Sequence, residues 1–458
     1  VNKKIDNFKN LVGENWVITD SDTLKSYLED ETPQGSKVKP VSDIIVVKPG
    51  ESEELSKVMR EANRRNIPVF VRGGGTGLVG GCVPTKKGIV VSMDRFKDIK
   101  VNDESLTATV GAGVTLEELK ASVNKAKLSF PPHPGDETAQ IGGLVSCDAG
   151  GASVVKTGTM RNFVMGLEIV LPTGETIRTG GRLVRDNVNA GKLMNFFIGT
   201  EGIFGIITEI TLKLQKSQKA RGIMIAPFDK KHNSLEVVPK ILKSELTPEG
   251  IEYAERKTIE LVSEVGREIS PFEGGEAFLL LMFSEPNEEA LYSGLEKLRK
   301  TLKKFGAKEP YFAETESERE KIMGIRSEFY PSLKPEMYKD LDICVPVDKT
   351  RDFISKLDEI SKEYETYLHP YGHVGDGNLH VHIMQSENWS EEKYSSLEED
   401  IYRTGTELGG TISGEHGVGE VKKKFLYLNL DKKSRILLKS LKKTLDPKNI
   451  LNPGKVID

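Results

Sequence analysis

A chain of 458 residues has room for about two or three domains of ordinary size and a large core, so it needs neither disulfides nor a structural metal to fold. Its formal net charge of -4 offers no basic excess for nucleic acid or an anionic surface, and no run approaches the ~18 apolar residues of a membrane span. Cys82, Cys147 and Cys344 are widely spaced with no C-x-x-C pair, and the start Val1-Asn-Lys-Lys is too polar for a signal peptide, so a cytoplasmic protein with free thiols is expected.

Residues 1–36 read as a short helical lead-in. The apolar run 43–47 suits a buried strand. Residues 51–65 place Leu55, Val58, Met59 and Ala62 at helical spacing, with Ser52 as N-cap, and 67–71 is a second strand. This β-α-β opening implies a parallel sheet. Short β-like runs follow at 88–93, 106–110 and 165–171, and 203–214 closes a first region of residues 37–217. From about 218 glycine thins and charged helices appear. Strand-like runs at 222–226, 277–283, 343–347 and 379–384 alternate with helical ones at 249–265, 286–304, 348–364 and 390–408. That pattern predicts an α+β unit over 218–412 with a mainly antiparallel sheet. The remainder, 413–458, ends in turn-rich sequence with apolar anchors and is expected to pack back on the body.

The loop Arg72-Gly-Gly-Gly-Thr-Gly-Leu-Val-Gly-Gly81 contains a literal G-x-G-x-x-G. A Rossmann fingerprint must open a helix, and the next residues leave no room for one before the strand at 89–93. Consecutive glycines still expose backbone N–H groups to an anion, with Arg72 at the rim and Thr76 adding a hydroxyl. Two more glycine-rich stretches, 132–159 and 199–207, point to a long ligand in extended contact with backbone.

Five of the 7 histidines lie between His369 and His416. In His373-Val-Gly-Asp-Gly-Asn-Leu-His380, a four-residue loop at 375–378 would set His373 opposite His380, close enough to share a cation. Glu415, in Ser413-Gly-Glu-His416-Gly-Val-Gly419, would complete a His₂Glu set with one open position, suited to zinc, manganese or iron. His382 shares a strand face with His380 and is a candidate substrate contact; His369 reads as structural.

Together these motifs resemble the vanillyl-alcohol oxidase / p-cresol methylhydroxylase superfamily, and over nearly the whole chain its FAD-linked D-2-hydroxyacid dehydrogenase branch. The resemblance implies a two-subdomain FAD-binding domain at 37–217 and an α+β cap. It implies that Arg72, Gly73, Gly74, Gly75 and Thr76 bind the FAD pyrophosphate, with Gly77 beside them on the cofactor. Pro134, Gly135, Thr138, Gly142, Gly143, Ala149, Gly151, Gly158 and Thr159 would wrap the ribityl chain and isoalloxazine. Gly202, Ile206 and Ile207 would meet the adenine end, and Asn452 would approach the flavin. FAD is expected to be dissociable, with His133 a loop residue. By the same resemblance His373, His380 and Glu415 bind a divalent metal, His416 acts as base and Arg326 holds the substrate carboxylate. Tyr330, four residues on, would share the helix face of Arg326. The lysine that grips a second carboxylate in hydroxyglutarate enzymes is one place off at Lys339. The implied activity is oxidation of a lactate- or glycolate-like D-2-hydroxy acid, with a quinone, an electron-transfer flavoprotein or an iron–sulfur protein taking the electrons. Competing readings are an oxidase or ether-lipid synthase on the same scaffold, and a non-catalytic flavin-binding subunit. A dimer is the commonest assembly prior, which the sequence leaves open.

Overall fold

The computed structural model describes residues 2–181, 183–184, 191–264 and 274–457. Strands β1 (Val17–Ile18), β2 (Ile44–Val47), β3 (Val69–Arg72) and β4 (Gly88–Ser92) form a sheet in the order β1-β2-β4-β3, parallel except at the β1 edge. The helix Ser52–Arg65 buries Leu55, Val58, Met59 and Ala62, the face expected from their spacing. Ser52 is not its cap. Glu51 holds the N-cap position without a side-chain bond, and the Ser52 hydroxyl instead bonds Glu168, a buried carboxylate on a neighbouring strand.

A second, antiparallel sheet takes β5 (Ile99–Asn102), β6 (Thr107–Gly111), β8 (Val164–Val170), β9 (Thr176–Gly180) and β10 (Ile206–Lys213) in the order β5-β6-β10-β8-β9. Short β7 (Leu128–Ser129) and β11 (Gln215–Lys216) pair beside it. All seven residues of β8 are buried, and its one carboxylate, Glu168, is met by Ser52, Thr208 and Arg178. One core, with Val91, Val110, Leu119, Ile141, Ile169 and Ile210 fully enclosed, joins the two sheets.

The third sheet has seven strands: β12 (Ala220–Phe228), β13 (Gly250–Glu255), β14 (Ala277–Glu285), β15 (Tyr311–Ala313), β16 (Met337–Cys344), β17 (His369–Gly372) and β18 (Asn378–Met384). Their order is β15-β12-β14-β13-β17-β18-β16, and every pairing is antiparallel. Apolar clusters cover both of its faces.

Two expectations fail here. The helix expected over 249–265 begins as strand β13 and turns helical at Arg256–Glu264; residue 265 lies outside the described residues. Ile251 and Tyr253 do alternate into the core, but buried, paired Glu252 and Glu255 hide that period. The strand expected at 343–347 lies earlier, at Met337–Cys344, where buried acids interrupt the apolar pattern.

The final segment contains a helix, Lys432–Leu445, whose Leu438, Leu441 and Leu445 pack on the first core. It returns to β3, where Val69 N–H donates to Ile450 O at 2.7 Å. No described helix is long and apolar enough to cross a membrane.

Candidate active site

Strand β18 runs between β17 and β16, so period two turns His380 and His382 to the same face. The hairpin register differs from the expected one. Tyr371, not His373, stands opposite His380, and His369 stands opposite His382. β17 ends at Gly372, whose φ of +135° breaks the ladder. A side chain there would strike the His380 ring, 3.0 Å away. The break returns His373 toward the site, and the His373 and His380 rings meet edge to face at 5.5 Å.

Glu415 closes the set. Its Oε1 lies 3.2 Å from His373 Nε2 and 3.4 Å from His380 Nε2. The three ligand atoms fall within 4.8 Å of one another, with the side chains 15% exposed or less. Two imidazole nitrogens around one carboxylate oxygen fit a divalent cation with an open coordination position. His416 follows, its ring stacked on His380 at 5.0 Å and its Nε2 3.9 Å from Glu415 Oε1.

Carboxylates that the sequence reading missed support this cluster. Glu252 on β13 faces His373 Nδ1 at 2.5 Å through one oxygen, and its other oxygen accepts from Arg326 Nε and Nη2 at 3.1 and 2.9 Å. Asp342 on β16 stands opposite His380 and accepts the backbone N–H groups of Gly414, Glu415 and His416 at 3.0, 3.1 and 2.8 Å. Lys422 Nζ balances its charge at 3.2 Å. Asp340 stands opposite His382. The alternation Asp340-Leu-Asp342 within an apolar strand was the available signal for both aspartates.

The charges set the protonation. Burial opposes the charged form of His373, but Glu252 and Glu415 outweigh it and hold that imidazole well above its ordinary range. His380 is likewise raised against burial, chiefly by Glu415 and Asp340. Glu415 is held well below the carboxylate range, burial being overcome by the two histidines. Glu252 is brought down to about 2, where Arg326 and His373 overcome its burial. Burial pushes His416 down, against the pull of Asp342 and Asp340.

Arg326 is 18% exposed, and its Nη1 takes no part in the Glu252 pair. The shared helix expected for Arg326 and Tyr330 is interrupted. One helix ends at Ser327 and a second starts at Phe329, where Pro331 cannot continue the donor ladder. Tyr330 nonetheless lies edge-on to His382 at 6.1 Å, its hydroxyl buried without a hydrogen-bond partner. His382 is fully buried, with Nε2 3.1 Å from Asp340 Oδ1. His369 is buried beside the Tyr367 ring, away from the ligand set.

The glycine-rich segments converge. A Cβ at Gly74 would lie 3.3 Å from Thr138 O, and one at Gly73 would lie 3.5 Å from Gln140. At Gly135 and Gly143, both exposed, a Cβ would meet nothing within 4 Å, and the φ of +65° at Gly135 itself favours glycine. These stretches leave their backbone open to an extended cofactor. A Cβ added at Gly150, between Ala149 and Gly151, would lie 3.8 Å from Glu415 Oε2, which brings this stretch to the histidine cluster. Some expected contacts are taken up by the protein. Arg72 Nη1 donates to Glu29 O at 2.7 Å, and the Thr138 hydroxyl bonds Asp136. Asn452 accepts from Val71 N–H at 2.9 Å and donates to Glu201 O and Gly202 O, so its amide ties loop to strand. Ile206 and Ile207 open β10 with buried side chains. Pro134 and Gly151 meet where a Gly151 Cβ would touch the Pro134 backbone, while Gly158, Thr159 and Asn162 form a turn. His133 remains a loop residue, and all three cysteines are free.

This fold, with glycine-rich stretches brought against a buried histidine–carboxylate cluster, is that of a flavin-dependent oxidoreductase. Residues 217–456 match the family "FAD linked oxidases, C-terminal domain" and residues 44–180 match "FAD binding domain"; the chain belongs to the FAD-linked oxidases. It is 38% identical to a D-lactate dehydrogenase of Archaeoglobus fulgidus, covering 94% of this chain and 95% of the relative. It is 30% identical to a D-lactate dehydrogenase of Anaerostipes hadrus (99% and 96% covered) and 32% to the glycolate oxidase subunit GlcD of Bacillus subtilis (94% and 91%). In fold it is similar to p-cresol methylhydroxylase, with a TM-score of 0.78 at 16% identity over 100% of this chain and 97% of that one. It also resembles alkyldihydroxyacetonephosphate synthase, with a TM-score of 0.74 at 18% identity over 99% and 85%.

Proposed function

We propose that the protein oxidises a short D-2-hydroxy monocarboxylic acid, lactate- or glycolate-like, to its 2-oxo acid. Residues 37–217 would hold FAD and 218–412 would close over it. The observation that carries this reading is the convergence of His373, His380 and Glu415 within 4.8 Å, with His416 beside them. When bound, FAD supplies the acceptor for the C2 hydride, and a divalent cation (zinc, manganese or iron) on those three ligands supplies Lewis-acid polarisation of the 2-hydroxyl. Arg326 holds the substrate carboxylate through the edge turned from Glu252. His416 Nε2, on the ligand side, takes the hydroxyl proton, and burial keeps water from competing for it. Tyr330 and His382 bound the remaining space.

Lys339 supports a monocarboxylate. It lies on the opposite face of β16, 2.7 Å from Glu398 in a buried pair, and is not offered to a second carboxylate. The names of the relatives favour the same substrates. Electrons would leave to a quinone, an electron-transfer flavoprotein or an iron–sulfur protein. The name "subunit" on one relative favours a second reading, in which this chain works inside a larger assembly.

Anaerobic mixing of the FAD- and metal-loaded protein with D- and L-2-hydroxy acids tests the reading. Bleaching of oxidised flavin absorbance by D-lactate or glycolate, and none by L-lactate, is expected. No bleaching by any acid would overturn it in favour of another alcohol or an accessory role.

A further inference from the structure

Two aspartates of β16, Asp340 and Asp342, project toward the histidine strand, yet their surroundings are opposite. Asp342 is saturated. Beyond the three backbone N–H groups and Lys422, it accepts from Ser413 Oγ at 2.9 Å and Asn378 Nδ2 at 2.7 Å. Asp340 is equally enclosed, its side chain 1% exposed, and neither of its oxygens has a hydrogen-bond partner. A buried carboxylate whose nearest charged partners are imidazoles alone calls for an explanation in the chemistry of the site.

Its neighbours supply one. Oδ1 lies 3.1 Å from His382 Nε2, and Oδ2 lies 3.5 Å from His416 Nδ1. The two nitrogens of His416 therefore face different things. Nε2 points to the Glu415 side, 3.9 Å from Oε1, and Nδ1 points to Asp340, with Asp342 farther off at 4.0 Å. A histidine that takes a proton at Nε2 must carry its other proton on Nδ1, and a carboxylate behind Nδ1 selects that tautomer and balances the imidazolium.

We propose that Asp340 is the positioning residue of His416. This rests on the reading of His416 as base. As the substrate O–H bond breaks, its proton passes to His416 Nε2. The O–H electron pair forms the C2=O bond, and the C2 hydrogen leaves with its pair to the flavin. Asp340 stays ionised throughout. Its separation from Nδ1 closes to a hydrogen bond when the imidazolium forms. The same carboxylate holds His382 and so keeps the wall of the pocket in register with the base.

A competing use of these atoms is built in. Asp340, His380 and His416 also offer three ligand atoms within 4.8 Å. Were Asp340 a ligand rather than a positioning group, its loss would remove metal.

The test uses FAD- and metal-loaded full-length protein, D-lactate as substrate and a dye as acceptor, with Asp340→Asn, Asp340→Ala and His416→Asn. For Asp340→Asn, kcat should fall on the order of 10²- to 10⁴-fold, the range for a misdirected base. KM should stay within about twofold, and FAD and metal content should be unchanged. In Asp340→Ala, added formate should restore kcat about tenfold or more by filling the vacated carboxylate position, an effect that a folding defect would not show. If His416→Asn is inactive while Asp340→Asn keeps kcat within about twofold, the positioning role fails and the base reading stands. If His416→Asn is itself active, both fail. Loss of metal from Asp340→Asn, or loss of kcat in Asp340→Ala without formate rescue, also overturns the proposal.

Discussion

Glu252 sits in β13 with one oxygen on Arg326 and the other on His373, 74 and 121 residues away in sequence. It decides which nitrogen of His373 would be left for the proposed metal, because Nδ1 is occupied and Nε2 faces Glu415. Outer partners of this kind typically matter 10- to 100-fold in metal affinity. Glu252→Gln keeps the size and removes the charge, so metal affinity should fall by about that factor, measured by competition with a chromogenic chelator. An unchanged affinity would remove Glu252 from the support of the site. The contrast with the ligands shows what was legible in the sequence. His373, His380, Glu415 and His416 stand in short glycine-flanked motifs, so local spacing exposed them. Glu252, Asp340 and Asp342 are single acids in strands, and only cross-strand register brings them to the histidines. The same limit misplaced His373, since an ideal hairpin gave no warning that Gly372 would end the ladder.

At the scale of elements, strands with continuous or cleanly alternating apolar residues were legible, and strands interrupted by buried carboxylates were not. β12, β14 and β18 fall where their runs predict. β13 was hidden because Glu252 and Glu255 look like the exposed face of a helix until their partners are known. β13 is also where the cap meets the flavin half. Gly250 begins it, and a Cβ there would sit 1.7 Å from Ala152 O, while Lys156 N–H donates to Glu249 O and Lys156 Nζ to Ser284 O. The steric objection at Gly250 is to backbone, which cannot swing away as a side chain could. Gly250→Ala should therefore cost about 1–3 kcal/mol, as overpacking does, and should weaken flavin retention because the 149–159 stretch must shift. Urea denaturation and the fraction of FAD kept after gel filtration would show both effects. A variant with wild-type values in each would mean that this contact relaxes freely.

Across the whole molecule, the loop Ser413–Gly419 is held from both sides. Asp342 of the cap grips the backbone of Gly414, Glu415 and His416. Glu201, in the third glycine-rich stretch, accepts the N–H groups of Val418 and Gly419 at 2.7 and 2.8 Å, and Val79 O receives Glu420 N–H at 2.9 Å. A ligand that fixes Glu415 would thus also fix the 199–207 stretch proposed to border FAD, and two sites so joined should favour each other reciprocally. The direction with pH follows from the histidines. Against burial, Glu252 and Glu415 hold His373 well above its ordinary range, and Glu415 and Asp340 raise His380, so the metal-free site keeps protons to higher pH than free imidazoles and a cation must displace them. Metal loading should release protons and strengthen as pH rises. As pH falls, protons compete more strongly and the metal leaves. Because Glu415 then loses its anchor, FAD affinity should drop in the same acid range in metal-loaded protein. It should change much less over that range in protein stripped of metal beforehand. Flavin fluorescence followed through a pH titration of the two preparations measures this directly. Parallel curves would show that the shared loop does not transmit metal binding to the flavin cradle.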